Sequence, residues 1–139
     1  MQLSRKIFAV LMCIASLIAS HPLLSQEFSK SPGSSAVDVQ GVRHHWSDYD
    51  RKMVPWIGDA IYAPRPQYPY EARSKHQTGS GLFRITLDLS TGTVAKITMI
   101  KSTGSPVLDN AALSAFRQWR FRRGRWKEID LPITFTMTR

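Results

Sequence analysis

The chain has one cysteine, Cys13, and it lies inside an apolar N-terminal run. The rest of the chain therefore holds no disulfide framework, no thiolate nucleophile and no cysteine-type zinc site, which suits an oxidising periplasm. Acidic residues are also scarce, with 10 Asp and Glu against 19 Lys and Arg in 139 residues, a net charge of +9. No Walker sequence occurs, Gly79-Ser80-Gly81 lacks the flanks of a nucleophile elbow, and no carboxylate pair is placed in a pocket by the pattern. Catalysis is not expected, and neither is a cofactor. The length is too short for a doubly wound nucleotide fold or a (β/α)₈ barrel. What is present is one small domain's worth of apolar residues, 42% of the chain, with four Trp, six Phe and four Tyr to fill a core.

The apolar N-terminal run is short as well. Residues 7–20 carry no charge and no proline, but these 14 positions fall below the roughly 20 that a membrane-spanning helix needs. Arg5 and Lys6 precede the run, and Ser20 and Ser25 offer imperfect cleavage points, the layout of a secretory signal. Residues 1–25 are read as a signal peptide or as a signal anchor retained through residues 7–24 in the inner membrane. Either way the body of the protein is exported to the periplasm. Val10-Leu11-Met12 before Cys13 replace the small residues of a lipoprotein signal.

Residues 26–62 begin with a Ser-, Gly- and Pro-rich stretch of no sustained period and are expected to be a flexible tether. His44 and His45, with Asp48 and Asp50 behind them, tempt a metal assignment. Adjacent histidines on an extended chain point apart, so no metal site is expected. The domain proper is placed at 63–139. Pro69 suits the first turn of a short helix running to Lys75 and ended by Gly79 or Gly81. Phe83, Ile85, Leu87 and Leu89 alternate with polar residues as a half-buried strand, Ser90-Thr91-Gly92 turns the chain, and Val94 to Lys101 returns as a second strand. Ser105 and Pro106 open a helix whose Leu108, Ala111, Ala112, Ala115, Phe116 and Trp119 form one apolar stripe. Gly124 follows, and Ile129 to Met137 alternate as a closing strand.

These elements predict an α+β fold, two helices on one face of a three-stranded antiparallel sheet in the strand order second, first, last. The last strand is then an edge. Pro132 fits there, because it has no N–H to give a ladder. Period-two alternation turns the backbone groups of Asp130, Pro132, Thr134 and Thr136 to the open side.

Gln67-Tyr68-Pro69, the hairpin between Gly81 and Gly92, Lys101-Ser102-Thr103-Gly104, Leu108-Asp109-Asn110-Ala111-Ala112-Leu113, Trp119-Arg120-Phe121 and Leu131-Pro132-Ile133-Thr134-Phe135 together resemble the C-terminal domain of TonB, over about residues 66–137. The resemblance implies an energy transducer whose periplasmic domain grips a peptide, the TonB box, on a TonB-dependent outer-membrane receptor and supports transmembrane transport. It places the peptide on the final strand, at Asp130, Pro132, Thr134 and Thr136, and makes Gln67, Tyr68 and Pro69 a receptor-contacting stretch; read from the residues alone, the same segment is a helix-entry turn with Tyr68 packed into the core. It implies an ExbB/ExbD-type motor as partner if the N-terminal segment is retained, and a secreted binding module if it is not.

Arg117, Arg120, Arg122, Arg123, Arg125 and Lys127 crowd one stretch with no acid among them. They either complement the preceding helix's dipole and keep an apolar edge soluble, or present an anionic-partner patch through Arg120, Arg122, Arg123 and Arg125. An export signal argues against nucleic acid as that partner. A further reading pairs the free edge with a second copy as a homodimer.

Overall fold

The computed structural model describes residues 33–49 and 54–137. The leader, Cys13, Asp50 and Met53 lie outside the described residues. Alternating burial of Phe83, Ile85 and Leu87 builds the central strand β4 (Gly79–Leu87), which is paired on one side with β5 (Val94–Lys101) and on the other with β7 (Trp126–Phe135), both antiparallel. The order β5-β4-β7 is the order expected from the sequence. Helices α2 (Tyr70–Ser74) and α3 (Pro106–Phe116) cover the apolar face through Ala72, Leu108, Ala112 and Phe116, all fully buried. Phe83 and Phe116 meet with ring centroids 5.6 Å apart. Burying side chains of this size contributes about 1.5–3 kcal/mol each, which is why the apolar stripe of α3 decides where it lies.

The sheet is larger than the sequence suggests. Strands β1 (Ser35–Asp38) and β2 (Arg43–His45) form a hairpin that docks on β7, giving a five-stranded sheet in the order β2-β1-β7-β4-β5. After a 3-10 turn at Trp46–Asp48 come α1 (Pro55–Gly58) and β3 (Ala60–Tyr62), and β3 pairs with β6 (Arg120–Phe121) in a second, two-stranded sheet. The described residues of the expected tether are thus built into the domain. A four-residue strand has too little sequence to show a period. It is held by its surroundings: Ala36 is fully buried opposite Ile129, and Trp56 donates its Nε1–H to Ser34 Oγ at 3.1 Å and packs edge-on against Trp126 and Tyr49.

Several boundaries move for local reasons. Helix α2 ends at a left-handed His76 (φ +53), not at a glycine. Gly79 and Gly81 belong to β4, where a Cβ on Gly79 would overlap the Thr103 carbonyl oxygen. Strand β4 stops before Leu89 because the Asp88 carboxylate accepts the Ser90 N–H (2.8 Å) and hydroxyl (2.6 Å), closing the turn early. Strand β7 starts at Trp126, three residues before the alternation becomes apolar, because Trp126 is recruited by Trp56. Trp119 lies beyond the end of α3, yet remains buried and donates its Nε1–H to the Pro64 carbonyl at 2.9 Å.

Candidate peptide-binding edge

Strand β7 is ten residues long, and its two sides differ. On the inner side it pairs with β4 from Thr86↔Glu128 to Gly79↔Phe135. On the outer side β1 covers only the stretch from Trp126 to Asp130. From Leu131 to Phe135 no strand among the described residues pairs with the outer side. The expected edge therefore exists along half of the strand.

Asp130 is the residue this changes. It was expected at the open edge, but it lies opposite Ser35 and is only 6% exposed. Its carboxylate accepts Arg84 Nε–H at 2.8 Å and an Nη2–H at 3.0 Å, Arg43 at 3.3 Å and the Ser35 hydroxyl at 3.2 Å. These groups saturate it as the anchor of the β1–β2 hairpin. Pro132, Thr134 and Thr136 remain on the uncovered stretch. Thr134 and Thr136 are exposed, and the Thr134 hydroxyl lies 2.9 Å from that of Ser80 on β4. Leu131, Ile133 and Phe135 turn inward to the core.

The sheet's other edges are protected in recognisable ways. Strand β5 carries Lys96 and Lys101, and its pairing with β4 is broken by two register shifts. Strand β2 has three residues. Charge, bulges and brevity all discourage strand addition. Residues 131–137 contain no charge, and the β4–β7 register is unbroken through Phe135.

Gln67, Tyr68 and Pro69 meet the far end of this stretch. The Tyr68 ring stands edge-on to Phe135, centroids 5.5 Å apart, and its hydroxyl donates to the Gln77 carbonyl. Pro69 is the N-cap residue of α2, and Gln67 is exposed. Tyr68 is thus a packing residue that joins the segment to β7. Beside it opens a cleft of about 700 Å³ between residues 62–73 and α3, with Tyr62, Arg65, Gln67, Tyr70 and Arg73 on its wall. Tyr62 and Tyr70 were not singled out from the sequence. Their exposure, 52% and 78%, could only be read from the fold.

The arginine cluster has an acid after all, supplied from far upstream. Asp59, 7% exposed, accepts Trp126 Nε1–H at 2.9 Å and lies 3.3 Å from Arg125 and 3.9 Å from Arg122, while its carbonyl accepts the Arg122 N–H. Arg120 sits in β6 opposite Tyr62, and Arg123 is exposed in the turn before β7. Two of the four arginines are therefore ion-paired within the domain. Of the adjacent histidines, His44 lies between Asp38 (2.9 Å) and the Tyr49 hydroxyl (3.0 Å), and its hydrogen bond holds the Asp38 carboxyl below the usual range. His45 is exposed on the other side of the hairpin. Among the described residues no three His, Cys, Asp or Glu cluster as metal ligands, and no helix is long and apolar enough to cross a membrane.

Residues 64–137 match the family model described as the Gram-negative bacterial TonB protein C-terminal, just over half of the chain. The chain belongs to this TonB C-terminal family. Protein tonB2 of Pseudomonas aeruginosa is 32% identical over 83 residues, 55% of this chain and 30% of that protein. Protein TonB of Neisseria meningitidis is 30% identical over 74 residues, 53% and 26% of the two chains, and that of Vibrio cholerae 37% over 57 residues, 41% and 23%. The chain thus spans less than a third of the length of these TonB relatives. The solution structure of the Pseudomonas aeruginosa TonB C-terminal domain aligns with 58% of this chain and 84% of its own, at 20% identity and a TM-score of 0.46. The TonB family match begins at Pro64, so β1, β2, α1 and β3 precede it.

Proposed function

We propose that the domain captures an extended peptide of a TonB-dependent outer-membrane receptor by strand addition on the outer side of β7, and so supports energy transduction for import in the periplasm. The observation that carries this reading is the uncharged and unbulged stretch from Leu131 to Phe135, whose outer side is unpaired among the described residues, beside two edges that are blunted. Main-chain hydrogen bonds along such an edge supply affinity whatever the peptide's sequence, and side-chain alternation supplies selectivity. A pull along the strand loads those bonds together, which suits a transducer. Membership of the TonB family and relatives named TonB support the same reading. Gln67 and the neighbouring cleft provide a second contact at the Phe135 end. Full transduction requires the N-terminal segment to stay in the inner membrane and engage an ExbB/ExbD-type motor.

The test is a titration of the protein with peptides from the periplasmic N-terminal segments of outer-membrane receptors of the same organism, followed by calorimetry. Alternation places the Thr134 N–H on the same side as the Pro132 nitrogen. Thr134→Pro removes that donor without breaking the β4 ladder, and affinity is expected to fall at least tenfold while the melting temperature moves by only a few degrees. Unchanged affinity in a folded variant overturns the edge assignment. Sedimentation without peptide reports whether the edge pairs with a second copy instead.

A further inference from the structure

We propose that the β1–β2 hairpin is a fixed stop on the peptide-binding edge, restricting the captured segment to about five residues opposite Leu131–Phe135 and setting its register. This rests on the strand-addition reading above. It follows from how β1 is held and where it ends. The hairpin occupies the outer side of β7 up to Asp130, and the backbone turns away immediately before it: Gly33 has φ +103, a left-handed value that ends the extended run at Ser34. Among the described residues the chain's own strand therefore leaves Leu131–Phe135 uncovered, with Ser34 and Ser35 standing at the boundary.

A stop works only if the incoming peptide cannot displace it. Removing the hairpin would expose Ala36 and take the His44 ring from its contacts with Trp126 and Tyr49. It would strip Asp130 of Ser35 and Arg43, and Glu128 of Arg43 at 3.5 Å. It would also free the Ser34 carbonyl from Trp46 N–H and the Ser34 hydroxyl from Trp56. A peptide strand on the same four β7 positions would regain the ladder but none of these side-chain contacts. The exchange is uphill, so the hairpin stays and the peptide ends against it.

The stop also describes the partner. The segment must be extended and short where it lies on Leu131–Phe135, with alternate side chains beside Ile133 and beside the Thr134–Ser80 hydroxyl pair. Beyond the Phe135 end no strand among the described residues blocks the edge, and the peptide continues past Tyr68 toward Gln67.

Two measurements on the full chain in detergent test this. The first follows amide hydrogen exchange with and without a saturating receptor peptide. Exchange of the outward-facing Thr134 N–H is expected to slow at least tenfold, while residues 35–38 and 43–45 keep their protection. Loss of protection in the hairpin on binding overturns the stop. The second uses Val37→Cys/Glu128→Cys, a directly opposed pair across β1 and β7, in a Cys13→Ser background. The oxidised form, with the hairpin locked, is expected to bind within twofold of the reduced form. Binding that appears only after reduction also overturns the stop, whereas failure of every receptor peptide to bind wild type and variant alike removes the strand-addition reading on which it rests.

Discussion

Single carboxylates hold this domain together at points far apart in sequence. Asp130 fastens the hairpin to β7, Asp59 neutralises part of the arginine cluster, and Asp109 ties the loop before α3 to the helix. Burial raises the carboxyl pKa of Asp109, but hydrogen bonds from the Ser102 hydroxyl (2.5 Å), the Thr103 N–H (2.8 Å) and the Thr103 hydroxyl (2.7 Å) outweigh it, and the pKa lies below the ordinary value. The sign follows from linkage: the unfolded chain takes up the proton first as pH falls. The stabilisation from Asp109 is therefore complete above the unfolded value of about 3.9 and is lost as pH drops through the lower folded one. Asp109→Asn is expected to cost about 1–3 kcal/mol at pH 7, because it weakens three hydrogen bonds at a buried site. Urea unfolding from pH 6 to 2.5 should show a shallower acid decline in the variant than in the wild type. A residual decline is expected from Asp38 and Asp88, whose carboxyls are lowered by His44 and by Ser90 respectively.

Among the elements, the β4–β5 hairpin shows why a turn residue can be constrained twice over. Gly92 has φ +74, which any other L-residue adopts with strain, and its Cα faces the Phe121 carbonyl so closely that a Cβ would overlap the oxygen. The Phe121 N–H donates to the Gly92 carbonyl at 2.9 Å, so the tip of this hairpin is the surface on which β6 rests. Gly92→Ala is expected to destabilise by about 2–4 kcal/mol, from backbone strain and overpacking together. Gly104→Ala is the control: its φ of +90 carries the strain, but nothing lies within 4 Å of the added carbon. Thermal unfolding of both variants separates the two contributions, with the larger loss at Gly92.

At the scale of the whole molecule the question is what a net charge of +9 does for binding. If capture runs through backbone hydrogen bonds on an uncharged stretch of β7, charge has little part in it. Peptide affinity is then expected to change less than threefold between 50 and 500 mM salt, since screening acts on exposed charges and not on a strand ladder. An affinity that falls a hundredfold over this range would assign the binding to the arginines instead, and substituting Arg120 and Arg123, the two not paired to Asp59, would then reduce it. Calorimetry across the salt series separates these outcomes.

The parts of the fold with a period could be read before any coordinates. The alternation of Phe83, Ile85 and Leu87, and the stripe from Leu108 to Phe116, fix which faces are buried, and burial of those faces leaves few arrangements for a hairpin, a helix and a strand. The family pattern lies in the same residues. Other features carry no period because their stabilising partners are remote. Ser35 to Asp38 form a strand because β7 offers a ladder and Trp56 a floor, Asp130 becomes an anchor because Arg84 and Arg43 converge on it, and Asp59 reaches the arginines across more than sixty positions. The sequence by itself determined the three central strands, both covering helices and the presence of an edge on the last strand. Only the tertiary structure decided that half of that edge is closed, because closure is a contact between segments whose sequences do not announce each other.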